Sequence, residues 1–285
     1  MNIAAVVVTH NRAKLLEAVL QALFTQTCAL QFIVVVDNAS SSETAHVLQS
    51  FKNIDTLRFE ENIGGAGGFA AGIERAMMHG ADWILLLDDD AIAKPDLVEC
   101  FMSALLSASE ERVGALCSSV IESNRVALMH RRMFNPRTLR EPVIPYKYYS
   151  RISIQIDIAS FVGFFLSAQA VREIGLPNAS FFLAYDDTEY SLRLGRAGWF
   201  IWLVPSAVIN HLRSPKGRLR NGPYTTKHYY NLRNQLAVFR YYGTAPGWHL
   251  WLPIVLHGFI AAKDFRLSSL YTWFKALRDS RSVII

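Results

Sequence analysis

Cysteine is scarce in this chain: three residues in 285, Cys28, Cys100 and Cys117. The number is odd and no pair has metal-like spacing. This excludes a disulfide framework and a cysteine-based zinc site, and leaves three cysteines expected to pack as small hydrophobes in a reducing compartment. Long hydrophobic runs are scarce too. The longest near the end, "APGWHLWLPIVLHGFIAA" (Ala245 to Ala262), approaches the roughly 20 residues a bilayer span needs. His249, Pro253, His257 and Gly258 interrupt it. Trp248 and Trp251 lead it, and Lys263, Arg266, Lys275, Arg278 and Arg281 follow it. That pattern fits a helix lying in a membrane interface better than one crossing it; a core or dimer-forming helix is the other reading. The apolar start, Met1 to Thr9, has no charged segment before it, so no signal peptide is expected. Internal repeats and low-complexity tracts are absent. Acids are scarce at one end only. From His211 onward there are twelve Lys or Arg against two Asp or Glu, a balance of +10, while the first 210 residues carry −5. A basic end of this kind is a solvated face, an anionic membrane contact or a nucleic-acid contact. The acidic first two-thirds would repel a phosphate backbone, so nucleic acid is disfavoured.

Half of the residues, 51%, are apolar and 19% are charged, a composition that can fill a core. "IAAVVV" (Ile3–Val8) and "FIVVVD" (Phe32–Asp37) read as strands buried on both faces. Between them Leu15, Leu16, Val19, Leu20 and Leu23 have helical spacing. A second helix starts near Ser40–Ser42, with Glu43 in its first turn. "DTLRFEEN" is a third strand and "IGGAGG" a loop leading into a helix from about Phe69 to His79. "WILLLD" (Trp83–Asp88) is a fourth strand. Strand and helix thus alternate four times in 90 residues, which predicts an α/β fold with a doubly wound, mostly parallel sheet. The segment from Glu122 to Gln155 reads as a long surface excursion. Regular structure resumes with "FVGFFLSAQAV", a helix in "YDDTEYSLRLGRAG", a strand in "WFIWLVPSAVINHL" and a helix in "YTTKHYYNLRNQLAVFRYYG".

In such sheets ligands bind beyond the carboxyl ends of the strands. Polar residues sit at all four of those ends: Thr9 to Arg12, Asp37 with Asn38, Glu61 to Gly65, and Asp88 to Asp90. Three adjacent carboxylates capping an apolar strand repel one another unless a cation or a solvated turn relieves them. Asp88 and Asp90, two apart in extended chain, project to one side while Asp89 faces away. Two such carboxylates suit Mg²⁺ or Mn²⁺, with diphosphate oxygens completing the shell. Four glycines in five positions (Gly64, Gly65, Gly67, Gly68) let a ligand approach the backbone, and the helix N-terminus behind them favours anions. This loop follows the third strand rather than the first, which weakens both a dinucleotide-binding and a nucleotidyltransferase reading. In "YDDTEYSLR", Glu189 and Arg193 form an i,i+4 pair. Asp186 and Asp187 are then left, one as an N-cap and one as a spare carboxylate able to act as a general base. His211, ending an apolar strand, is either structural or a third ligand; a mixed Asp/His set tilts the metal toward Mn²⁺.

Taken in order, "VVVTHNR", "VVVDNAS", "ENIGGAGGFAAG", "WILLLDDDA", "FVGFFLSAQAVREIGLPNASFFLAYDDTEYSLRLGRAGW" and "NHL" resemble the family 2 inverting glycosyltransferases of GT-A fold. The resemblance covers roughly Met1 to Arg240. "NIGGAGG", the full Asp triplet and "YYNLRN" are similar to the branch holding galactofuranosyltransferases and rhamnosyltransferases of bacterial surface polysaccharides. The resemblance implies that Thr9 and Arg12 lie beside the nucleotide and that Asp37 binds the base or ribose. It implies that Asn62, Gly64 and Gly65 lie against the diphosphate and sugar, with Asp88 and Asp89 also at the donor. Asp88, Asp90 and His211 would hold Mn²⁺ or Mg²⁺, and Asp187 would be the catalytic base. The donor implied is a UDP- or dTDP-sugar, UDP-galactofuranose before dTDP-rhamnose, and the acceptor a glycan or a polyprenyl-diphosphate-linked glycan. The expected organisation is a catalytic domain over residues 1–243 and a helical basic, aromatic segment over 244–285. That segment would contact the inner face of the plasma membrane, from a cytoplasmic position, or a second copy in a homodimer. A non-catalytic sugar-nucleotide-binding module is the reading from a different class.

Overall fold

The computed structural model describes residues 1–107, 112–212 and 223–285. Four of the basic residues noted above, Arg213, Lys216, Arg218 and Arg220, lie outside them. The chain runs β1 (Ile3–Thr9), α1 (Ala13–Phe24), β2 (Phe32–Asn38), α2 (Ser42–Ser50), β3 (Ile54–Phe59), α3 (Gly64–Met78) and β4 (Trp83–Asp88). Next come β5 (Ala91–Ala93), α4 (Leu97–Ser107), β6 (Val113–Glu122), β7 (Arg125–Val126), β8 (Arg131–Arg132), β9 (Ile154–Ile156), β10 (Ile158–Ala159) and β11 (Phe164–Ser167). The remainder is α5 (Ala168–Ile174), α6 (Asp186–Arg196), β12 (Phe200–His211), α7 (Thr226–Tyr242), α8 (Trp251–Lys263) and α9 (Leu267–Asp279).

The main sheet has the order β3-β2-β1-β4-β11-β6-β12-β5, with β7 on β6 and β9 on β12. It is parallel through β3, β2, β1 and β4. β11 enters antiparallel between β4 and β6, and β12 runs parallel to β6. Ile84 to Leu87 of β4 are wholly buried because helices cover both faces. Leu16, Leu20 and Phe101 of α1 and α4 pack one face. Phe69, Ile73 and Tyr190 of α3 and α6 pack the other. Each such side chain contributes about 1.5–3 kcal/mol on removal from water.

The register brings the polar strand ends together. Thr9 pairs with Asp37 and Val8 with Asp88, so three strands finish level. His211 lies opposite Ala91, which sets it one residue from Asp90. The expected elements are therefore present in order, joined by β5, α4 and the central strand β6, which the sequence reading left unassigned, and two of its segments differ. α3 begins at Gly64, not Phe69: Gly64 itself turns into the helix with a positive φ, and Gly65, Gly67 and Gly68 after it are already helical. Asn62 Oδ1 accepts the Gly64 N–H (2.8 Å), and Asn38 Oδ1 accepts that of Ile63 (2.8 Å), so the open helix end is capped. The 122–155 excursion is also not purely superficial. β8 pairs with β10, and Arg131 is fully buried, its guanidinium donating to the carbonyls of Ser118, His130, Ser160 and Val162.

Candidate active site

The Asp triplet sits in the turn between β4 and β5, and its three carboxylates have different partners. Asp89 turns back onto the end of β1. It accepts from Thr9 Oγ1 (2.8 Å), the His10 N–H (3.3 Å) and Arg12 Nη1 (3.1 Å). Asp90 takes a second, closer bond from Arg12 Nη1 at 2.6 Å. Much of the repulsion is thus relieved by a cation of the chain itself. Arg12, expected beside a nucleotide, is bound to the triplet, although its side chain remains half exposed.

The other side of the triplet meets β12. Ligand-type atoms of Asp88, Asp90 and His211 lie within 4.8 Å of one another. His211 Nδ1 is 2.9 Å from Glu122 Oε1, at the end of β6, and Nε2 is 3.0 Å from Asp90 Oδ1. If Nδ1 carries the proton for Glu122, Nε2 presents a lone pair to a carboxylate oxygen. Asp90 Oδ1 is buried and has no aligned hydrogen bond among the described residues. A buried carboxylate oxygen 3.0 Å from an imidazole nitrogen, with a second carboxylate beside them, is a donor set that fits Mn²⁺ or Mg²⁺. Burial, then the charge of Asp90, pushes the Asp88 carboxyl up to about 7. Burial also disfavours the His211 imidazolium, but Asp90, Asp88 and Glu122 outweigh it and hold its pKa above the usual value. Asp90 goes the other way: its burial is outweighed by His211 and Arg12, which keep it below the usual carboxylate range. A hydrogen bond from His130 foremost, against opposing burial, and then one from His211 bring Glu122 down to about 2.

The paired acids begin α6. Asp186 is buried, and desolvation followed by the charge of Asp187 raises its pKa well above the ordinary range; the charge of Asp88 adds to the effect. Asp187 is half buried and lines a cavity of about 1000 Å³. Its Oδ1 accepts from the Thr188 N–H (2.6 Å) and Oγ1 (3.1 Å), and no described residue hydrogen-bonds its Oδ2. Across this cavity Arg132 pairs with Glu141 at 2.6 Å and donates to Thr188 Oγ1 at 3.0 Å. The same cavity reaches Leu252, Leu256 and Phe259 of α8.

The remaining sequence candidates are placed as follows. Asp37 is fully buried, with one oxygen accepting the Ser40 N–H (2.9 Å) and the other Arg58 Nη1 (2.6 Å); reaching a base or ribose would require Arg58 to swing away. Asn62 is exposed and caps α3. Gly64 has φ +77°, and a Cβ there would lie 2.1 Å from the Phe182 carbonyl oxygen; at Gly68 it would lie 2.7 Å from Val8 Cγ1. Those two glycines are demanded by packing. Gly65 faces open space and is the position in the run best placed for a ligand. Sequence reasoning missed Glu122, His130, Arg132 and Glu141. Glu122 carried a usable signal, an acid ending an apolar strand, as Asp88 does. His130 and Arg132 lay in a stretch read as surface.

This sheet, its crevice at the strand ends and its Asp/Asp/His cluster define a GT-A-type nucleotide-sugar fold. Residues 4–175 match the family model described as glycosyl transferase family 2, and the chain belongs to that family. It is 32% identical to a galactofuranosyltransferase GlfT1 of Mycolicibacterium smegmatis over 199 residues, which are 69% of this chain and 66% of that protein. The chain thus matches just under two thirds of that relative's length. It is 23% identical to the dTDP-rhamnosyl transferase RfbF of Shigella flexneri, over 84% of this chain and 80% of that one. In architecture it resembles the crystal structure of GalNAc-T7 with UDP, GalNAc and Mn²⁺. The TM-score is 0.65 at 13% identity, covering 84% of this chain and 48% of that one.

Proposed function

We propose that this protein is a metal-dependent inverting hexosyltransferase that uses a nucleotide-diphosphate sugar to extend a bacterial cell-surface glycan. UDP-galactofuranose is the donor of first choice, supported by the higher identity to a galactofuranosyltransferase; dTDP-rhamnose is second, supported by the likeness to RfbF. The observation that carries the reading is the convergence of ligand-type atoms of Asp88, Asp90 and His211 within 4.8 Å of one another at the ends of β4 and β12. A divalent cation held there would stabilise negative charge on the departing diphosphate. Asp187 takes the proton of an acceptor hydroxyl as that oxygen attacks the anomeric carbon. The bond from that carbon to the diphosphate oxygen breaks on the opposite face, and the configuration inverts. Gly65 and the N-terminus of α3 lie against the diphosphate and sugar. The acceptor, a glycan or a polyprenyl-diphosphate-linked glycan, enters the cavity that joins Asp187 to the apolar wall of α8, with the α8–α9 segment resting on the membrane.

Calorimetry with UDP, dTDP and their sugars, with Mn²⁺ and then with EDTA, tests the donor. Tightening by metal for UDP alone supports galactofuranosyl transfer, and selectivity for dTDP moves the assignment to rhamnosyl transfer. Metal-dependent binding with no hydrolysis or transfer indicates a non-catalytic module. Asp187→Asn should abolish turnover, by about 10²-fold or more, while donor affinity survives. Full activity in that variant would sink the base assignment.

A further inference from the structure

The "YYNLRN" stretch of α7, Tyr229 to Asn234, has no part in the chemistry above, yet Asn234 within it is fully buried. Its side-chain NH₂, whose two hydrogens are shared among three acceptors, donates to the carbonyls of Phe181 (3.0 Å), Leu183 (3.0 Å) and Ala184 (2.7 Å). Its Oδ1 accepts from Arg233 Nε at 2.8 Å. Arg233 Nη2 in turn donates to the carbonyls of Ser180 (2.7 Å) and Phe181 (3.1 Å). Tyr230 stacks on Phe182 with ring centroids 4.8 Å apart.

The segment so held is unusual. Phe182, Ala184 and Tyr185 have φ of +61°, +66° and +63°, and none is glycine. Such residues persist in this region only where their surroundings enforce it. Tyr185 is the residue before α6, so its backbone aims Asp186 and Asp187. The other side of the segment meets the glycine run: the Phe182 carbonyl accepts the Ala66 N–H at 3.2 Å and lies where a Cβ on Gly64 would stand. One short loop therefore touches the N-terminus of α3 and sets the start of α6.

We infer that Asn234 is a positioning residue: with Arg233 and Tyr230 it clamps residues 181–185 in a left-handed path that holds Asp187 in register with the donor-side N-terminus of α3. The inference rests on the assignment of Asp187 as base. Asn234→Asp keeps the shape and the acceptor oxygen but loses the bonds donated to the three carbonyls; Asn234→Ala loses those and the oxygen that accepts from Arg233 Nε. Both should lower kcat by about 100-fold, as a displacement of order 1 Å does. Donor Kd by calorimetry should change less than about threefold, because the metal cluster stands on other elements and Asn38 and Asn62 hold the N-terminus of α3 independently of the clamp. Leu236→Ala, a buried α7 residue facing away from the site, serves as the control for lost stability. It should lower the unfolding midpoint while kcat per folded molecule is kept. If the Asn234 variants retain kcat, or lose activity only in proportion to unfolding as Leu236→Ala does, the clamp has no positioning role. Asp187→Asn assayed alongside separates the two claims: a dead Asp187→Asn with an active Asn234→Asp overturns the clamp alone. Full turnover in Asp187→Asn overturns the base and the clamp together.

Discussion

Asp88, Asp186 and His211 share one electrostatic signature: each holds a proton more tightly in the folded protein than in the unfolded chain. The consequence for stability has a definite sign. A group whose folded pKa is raised contributes less as pH climbs from its unfolded to its folded value, so the metal-free protein should lose stability as pH rises from about 4 toward 7. Glu122, lowered to about 2, acts oppositely but only below its unfolded value of 4.5. Metal needs the same ligands deprotonated. Mn²⁺ should therefore raise the unfolding midpoint more at pH 8 than at pH 5.5, and its binding near pH 6.5 should release protons. Calorimetry in two buffers of different ionisation enthalpy reads that release directly; a Mn²⁺ affinity independent of pH between 5.5 and 8 would remove Asp88 and His211 from the ligand set. The Asp triplet itself was plain in the sequence, because an apolar strand ending in three acids has few structural uses. The division of labour inside it was not: Arg12 lies about eighty positions away, and only the β1–β4 pairing makes it a neighbour of Asp89 and Asp90.

Among the elements, α3 and its glycines give the sharpest contrast. Gly68→Ala drives a methyl to 2.7 Å from Val8 Cγ1 and should cost about 1–3 kcal/mol in denaturant unfolding. Gly65→Ala meets nothing and should leave stability unchanged or slightly improved, by up to about 1 kcal/mol from helix propensity. If Gly65 lies against the donor as proposed, the same change should weaken nucleotide-sugar affinity, whereas an unaltered Kd would take the glycine run out of the binding site. Helix and strand existence was legible from periodicity. The start of α3 was not, because four glycines in five positions read as loop in any local window. What makes them helical is distant: Asn38 on β2 caps the end, and Val8 on β1 leaves no room for a side chain.

For the molecule as a whole, the α8–α9 segment leaves an apolar surface uncovered. Trp251, Leu252, Val255, Leu256, Phe259, Phe265 and Phe274 are each more than half exposed. Lys263, Arg266, Lys275, Arg278 and Arg281 lie among or beside them. Among the described residues no helix is long and apolar enough to cross a membrane. On the proposed membrane contact, the protein should co-sediment with vesicles containing anionic lipid and release at high salt. Replacing Arg266 and Arg278 by Gln should weaken that binding by about 10–30-fold, at roughly 1 kcal/mol per basic residue. Concentration-dependent dimerisation with no vesicle binding would instead identify the face as a contact between copies.

The family resemblance narrowed the acid pair Asp186–Asp187 to Asp187, while local periodicity and the residues at strand ends were enough to establish the α/β class and Asp88, Asp90 and His211 as candidates on one edge of the sheet. These are properties of short windows, where burial period and turn chemistry act within a few residues. Tertiary structure decided which of them meet. The β5–β12 register brings His211 to Asp90, the end of β6 brings Glu122 to His211, and Asn234 of α7 bends the backbone that aims Asp187. Those contacts join residues 50 to 121 positions apart, and no local propensity encodes a pairing that exists only after the sheet has closed.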